Sequence, residues 1–204
     1  MTTAKDLFMI AIEPERSVGQ GDLSLALAGA ELIDLIGAGT VALDGDRIVP
    51  GGPPPLDDGF LGEVAAGLTR QLPYERVEDW LWRRGRDLSA TYQAALEESG
   101  ELTPQRSSRS PFGPKHLQPV DTPARRRAAD RWRHGEPVLT ALAAAVGIDD
   151  ERSDDERSDD GTGLDDEAVT RVVAAVHDAV MELEAVRQRR TIENAAFANI
   201  WRGP

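Results

Sequence analysis

Cysteine is absent from the 204 residues, so disulfides and thiolate metal sites are both excluded, which fits a reducing compartment. No apolar run approaches the roughly 20 residues that span a bilayer. The opening stretch "MTTAKDLFMIAIEPERS" has too short an apolar segment, followed by charge, to be a signal peptide. The expectation is therefore a cytoplasmic protein, with peripheral attachment to the inner face of the membrane left open. The familiar catalytic signatures are missing too: there is no G-x-S-x-G, G-x-x-x-x-G-K-[ST], H-E-x-x-H or G-x-G-x-x-G. His116, His134 and His177 stand far apart, and none has a second histidine at metal-ligand spacing. No enzyme, no catalytic residue, no metal site and no cofactor is expected.

What is present is charge, unevenly placed. The formal net charge is −13, which argues against general affinity for nucleic acid. Between Arg83 and Arg133, however, eleven Arg/Lys face six Asp/Glu, whereas Asp149 to Glu167 holds eleven acids and two Arg. The repeat "DDERSDDERSDD" lacks the glycine turn and closing glutamate of an EF-hand loop and has no apolar residue, so a disordered acidic loop is expected at about 149–163.

The length favours one domain, residues 1–204, and hydrophobic periodicity makes it helix-rich. "DLFMIAIE" reads as a buried helix or strand. In "DLSLALAGAELIDLIGAG", Leu25, Ala28, Gly29, Leu32, Ile33 and Ile36 recur at helical spacing, with Asp22 or Ser24 as N-cap and Gly37 as stop; Gly29 points to close helix packing. "TVALDGDRIVP" is a β-hairpin around Asp-Gly-Asp. A helix is expected from about Asp58 to Leu72, then two helices broken near Gly85, burying Trp80, Trp82, Leu88, Tyr92, Ala95 and Leu96. Trp80 and Trp82 must differ in burial, because residues two apart on a helix point about 200° apart. The five-proline stretch "TPQRSSRSPFGPKHLQPVDTP" reads as a long loop or irregular hairpin, followed by a basic helix, an apolar helix and a final helix from Asp165 to Trp201. That last helix carries the stripe Val169, Val172, Val173, Val176, Val180, Leu183 and Val186. The fold class expected is mainly α, a compact single-domain helical bundle with short β-hairpins.

Helix plus hairpin, Asp22 to Val49, also reads as half of a winged helix. A DNA reader needs a basic recognition helix, yet residues 22–36 hold no Lys or Arg and three acids. The basic region offers other chemistry. Arg83, Arg84 and Arg86 follow two tryptophans, Arg125, Arg126, Arg127, Arg131 and Arg133 surround Trp132, and Phe112 sits between Arg109 and Lys115. Arginine forks bind phosphate, and an apolar loop tip enters a headgroup layer. An ordinary solvated face is the alternative.

The order "DLFMIAIEPERS", "DLSLALAGAELIDLIGAGTVALDGDRIV", "WLWRRGRDLSATYQAALEESGELT", "PARRRAADRWRHG" and "PVLTALAAAVGI" resembles the bacterial, actinobacterial-type branch of the Golgi phosphoprotein 3 family over most of residues 5–186. The resemblance implies a non-enzymatic, peripheral phosphatidylinositol 4-phosphate-binding adaptor. Of the family's four site positions, it places Arg86 at one arginine, with Gly19, Ala28 and Ser89 standing where a tryptophan and two further arginines belong. Headgroup binding is thus expected to be altered or weakened and to rest on Arg83, Arg84, Arg86, Arg109, Lys115, Arg125 and Arg126, with Phe112 as a membrane or protomer contact. The partners expected are anionic phospholipid headgroups and no nucleic acid, with membrane-protein tails and homo-oligomers left open. A protein-interaction scaffold that has lost lipid binding is the alternative function, and a winged-helix DNA-binding protein a more remote one. The acidic loop is either a solubilising insert or a salt-sensitive brake. At about 15 residues it reaches roughly 20 Å, far enough to cover the basic helix.

Overall fold

The computed structural model describes residues 2–13, 16, 18–53, 59–106, 115–148 and 166–200, with backbone alone for 59–60, 104–106, 115–118 and 195–200. Within them the chain is mainly α: α1 Thr3–Ala11, α2 Gln20–Gly37, hairpin β1 Val41–Asp44 and β2 Arg47–Pro50, α3 Gly59–Ala66, α4 Val77–Arg84, α5 Leu88–Glu98, hairpin β3 Leu102–Arg106 and β4 Lys115–Pro119, α6 Pro123–Arg133, α7 Pro137–Ala145 and α8 Glu167–Ile200. Both sheets are two-stranded and antiparallel. The expected acidic loop, Arg109 and Phe112 lie outside the described residues.

Helix α2 is the axis of the molecule. It packs against α1, α4, α5, α7 and α8, and every residue from Leu23 to Ile33 is buried. The sequence reading gave it one apolar stripe; the structure surrounds it, because alanines and Gly29 fill the positions between the leucines. A Cβ at Gly29 would collide with Val176 of α8, so the missing side chain sets how closely the two helices approach. A helix enclosed this way leaves no face for a DNA groove.

The start of α2 differs from the expected one. The helix starts at Gln20 behind Gly19, with no side-chain cap. Ser24 is indeed a cap, but of another helix: its Oγ accepts the Ser89 N–H at the start of α5 (3.0 Å) and donates to the Gln20 carbonyl (2.8 Å). The last helical residue is Gly37, as expected, and the left-handed residue that closes the helix is Gly39. At φ +67° it lets Gly39 N–H reach Ile36 O (2.9 Å) and Thr40 N–H reach Leu35 O (3.0 Å), a Schellman closure. Helices α5, α6 and α7 close in the same way at Gly100, Gly135 and Gly147.

The first hairpin turns at Gly45 and Asp46, between the paired Asp44 and Arg47, with Gly45 at φ +59°. It has two structural tasks. Val41 and Ile48 enter the core, and backbone bonds Ile48 N–H to Glu75 O (2.9 Å) and Val77 N–H to Asp46 O (2.8 Å) pin the start of α4.

Helix α3 ends at Ala66, short of the expected Leu72, since Gly67 and Leu68 turn back on Val64 and Ala65 through i−3 bonds. Helices α4 and α5 break at Gly85 as expected; a Cβ there would stand 2.6 Å from Leu81 O and 3.2 Å from Ser24 O. Trp80 is fully buried, its Nε1–H donating to Ala28 O (3.1 Å), while Trp82 is half-buried. Leu88, Tyr92 and Leu96 are buried, with Ser89 beside the first, but Ala95 is exposed: α5 buries only a narrow strip. On α8, Val172, Val176 and Ala179 reach the core, with Val169, Val173, Val180 and Leu183 packed at its margin.

Candidate functional site

The three arginines after Trp80 have three different surroundings. Arg84, in the last turn of α4, directs its guanidinium inward to Glu31 of α2, Nε to Oε2 at 2.6 Å and Nη2 to Oε1 at 2.9 Å. Glu31 has no solvent exposure, and Tyr92 Oη–H also donates to it (3.2 Å). Burial pushes the Glu31 carboxyl above the usual carboxylate range, against the pull of Arg84 and Tyr92. The carboxylate in turn raises Arg84 above its ordinary value.

Arg83 forks onto Glu75 (2.6 and 2.8 Å), reaches Gly67 O, and lies over the Trp80 ring at 5.1 Å. Arg86, just beyond the helix, is exposed, and no partner is recorded for it among the described residues. Of the three, only Arg86 thus stands in solvent without a recorded carboxylate partner.

The second group stands on α6, which Thr122 caps at Arg125 N–H (3.2 Å) and Pro123 opens. Arg126 forks onto Asp121 (2.9 Å to each oxygen), with both side chains about two-thirds exposed. Arg131 turns to Asp6 of α1 and to Glu136, tying α6 down. Arg125, Ala128, Ala129, Trp132 and Arg133 follow the i, i+3, i+4, i+7, i+8 spacing of one helix face. With Met9, Ile10, Glu13 and Arg16 at the end of α1, that face lines a cleft of about 250 Å³. Arg16 lies over the Trp132 ring at 5.1 Å and donates to Ile10 O (3.0 Å), covering a carbonyl of the last turn of α1.

The structure therefore separates residues that the sequence reading grouped. Helix α4 packs on α2 and α8, α6 on α1 and α7, and the cleft containing Arg125 and Arg133 has none of Arg83, Arg84 or Arg86 in its lining. Lys115 opens β4 opposite Arg106. Arg16 and Glu31 were missed. Glu31 had a signal, being a carboxylate in the middle of an apolar helix; Arg16 had none, since its partner Trp132 is remote in sequence.

Of the four positions that the resemblance aligned with lipid-site residues, Ala28 and Ser89 are packing positions, while Gly19 and Arg86 are exposed. Ala28 is fully buried, and Ser89 is buried and bonded to Ser24 and Gln20 O. Beside Gly19, Asp22 takes Arg187 of α8 at 2.7 and 2.8 Å. Among the described residues no helix is long and apolar enough to cross a membrane, and no group of three or more His, Asp or Glu is placed to hold a metal ion.

No curated protein matches the chain. The family model for Golgi phosphoprotein 3 (GPP34) matches residues 4–183, from α1 into α8, well over half of the sequence. With a helical body in the order that the resemblance implied, the chain belongs to the Golgi phosphoprotein 3 family.

Proposed function

We propose that this chain is a non-enzymatic adaptor that docks peripherally on membranes carrying anionic lipid headgroups, with selectivity altered from that for phosphatidylinositol 4-phosphate. The observation that carries the reading is the surface of α6, where Arg126, Arg127 and Arg133 are exposed and Arg125 is half-buried. The Arg126 pair with Asp121 is solvent-exposed and screened by salt, so a lipid phosphate can replace the carboxylate. Arg84 is different. Its partner is buried, and releasing it to a headgroup would strand a carboxylate in the core.

Headgroup contact in this proposal comes from Arg86, Arg125, Arg126 and Arg133, with Arg109, Lys115 and Phe112 kept as further contacts, while Arg83 and Arg84 keep their structural partners. Each cation near an anionic surface contributes on the order of 1 kcal/mol before screening. A few such contacts give weak, reversible docking. Arg86 alone matches the family's four-residue site, which supports the altered selectivity. Flotation with vesicles of graded anionic content tests the reading. Binding should rise with lipid charge and fall from low to physiological salt; binding that ignores both favours a protein-interaction scaffold.

A further inference from the structure

The cleft between α1 and α6 owes its shape to residue size. On the lining face of α6, Ala128 and Ala129 leave a recess, and Arg125, Trp132 and Arg133 rise on either side of it. Met9 and Ile10 of α1 make the opposite wall apolar, with Glu13 and Arg16 at the rim. Three arginines against one glutamate give the lining a net charge of +2.

None of the three guanidinium groups is consumed by its recorded contact. Arg16 directs Nη1 to Ile10 O, with the Glu13 carboxylate 3.5 Å from the same nitrogen, Arg125 spends one N–H on Pro119 O (3.2 Å), and Arg133 is joined to Asp130 through Nη2, out of five N–H donors each. The volume, about 250 Å³, falls below the roughly 300–1,000 Å³ of pockets that enclose drug-sized ligands. It suits a headgroup-sized group.

We propose that this cleft binds a small phosphate monoester, with the phosphate between Arg16, Arg125 and Arg133 and the ester's apolar stem on Met9, Ile10 and Ala129. A phosphate monoester carries about −1.5 to −2 charges at pH 7, matching the lining, and its oxygens accept several forked N–H donors at once. A carboxylate offers half that charge. The site is separate from the positions aligned with the family's lipid pocket: Gly19, Ala28, Arg86 and Ser89 are absent from its lining.

The inference rests on the anionic-ligand reading of α6 but not on membrane docking, and the two arms of the test separate them. In the first arm, calorimetry measures monomeric dihexanoyl phosphatidic acid and free glycerol 3-phosphate binding to the full chain. In the second, flotation uses phosphatidylcholine vesicles with and without phosphatidic acid. Saturable one-to-one binding of the soluble lipid is expected, weakened on the order of a hundredfold by R125A with R133A, which removes two charge-assisted contacts. Ala129→Leu, which fills the recess without changing charge, should weaken it about tenfold, and Glu13→Gln should tighten it several-fold. Unchanged far-ultraviolet circular dichroism and melting confirm that the variants fold.

Equal affinity for both soluble probes identifies the free phosphate ester as the ligand; preference for the lipid identifies the acyl stem as part of it. Soluble binding without flotation supports the cleft while removing the membrane reading. Absence of saturable binding in the wild type, or wild-type affinity in the Ala129→Leu variant, overturns the cleft, even if the vesicles float the protein.

Discussion

Glu31 is fully buried and joined to Arg84 and Tyr92, which links α2 to both α4 and α5. Its carboxyl is held above the usual 4.5 chiefly by desolvation. An acid raised in this way binds its proton more readily folded than unfolded. The stability it adds is complete below the unfolded value and is lost as pH rises through the folded one. Arg84→Ala removes a cation that opposes the rise, so the carboxyl moves further up and the loss with pH grows. We expect this variant to cost about 3 kcal/mol at pH 7, at the low end for a broken buried pair because Arg84 is 29% exposed. The cost should be smaller at pH 5 than at pH 7, the direction in which a raised carboxyl gains its proton. Urea unfolding at the two pH values measures it, and an equal cost at both would mean that Glu31 does not depend on Arg84. Charge reversal at Arg84 is for the same reason a poor probe of lipid contact.

Between α2 and α8 the controlling position is Gly29, where any side chain meets Val176. Gly29→Ala should destabilise by about 1–3 kcal/mol, as overpacking does, and Val176→Ala in the same chain should recover part of that. A double-mutant cycle by urea unfolding reads the coupling; additive costs would show that the two helices do not meet there. Gly29 was legible in the sequence because a glycine in an alanine-rich helix signals close approach. So were the hairpin at Gly45 and the break at Gly85. Less legible were features that depend on long-range partners: Ser24 caps α5 rather than its own helix, Arg16 meets Trp132, and Ala95 falls outside the narrow strip that α5 buries. Periodicity records how each helix is patterned, not which neighbour faces it.

Taken together, these contacts divide the arginines between holding the fold and facing solvent, a division that composition could not make. Residues 83–133 read as one basic stretch, yet Arg83, Arg84 and Arg131 meet buried or half-buried carboxylates, while Arg86 and Arg126 stand at the surface. Identical side chains acquire different roles because only three-dimensional packing supplies Glu31, Glu75 and Asp6. The acidic stretch from Asp149 to Glu167 has a local balance of −9, and the brake reading has it compete with lipid phosphate for the surface arginines. Deleting residues 149–163 should raise binding to anionic vesicles several-fold at low salt, with the gain shrinking as salt rises; equal binding at every salt would leave the segment without a role in lipid access. The most direct test of the adaptor account is flotation of wild type beside an Arg86→Glu, Arg125→Glu, Arg126→Glu variant on phosphatidylcholine vesicles with and without anionic lipid. The account predicts that wild type floats only with the anionic vesicles and that the variant, still folded by circular dichroism, stays at the bottom of the gradient. Flotation of the variant equal to wild type, or failure of wild type to float on any anionic composition at low salt, would contradict it.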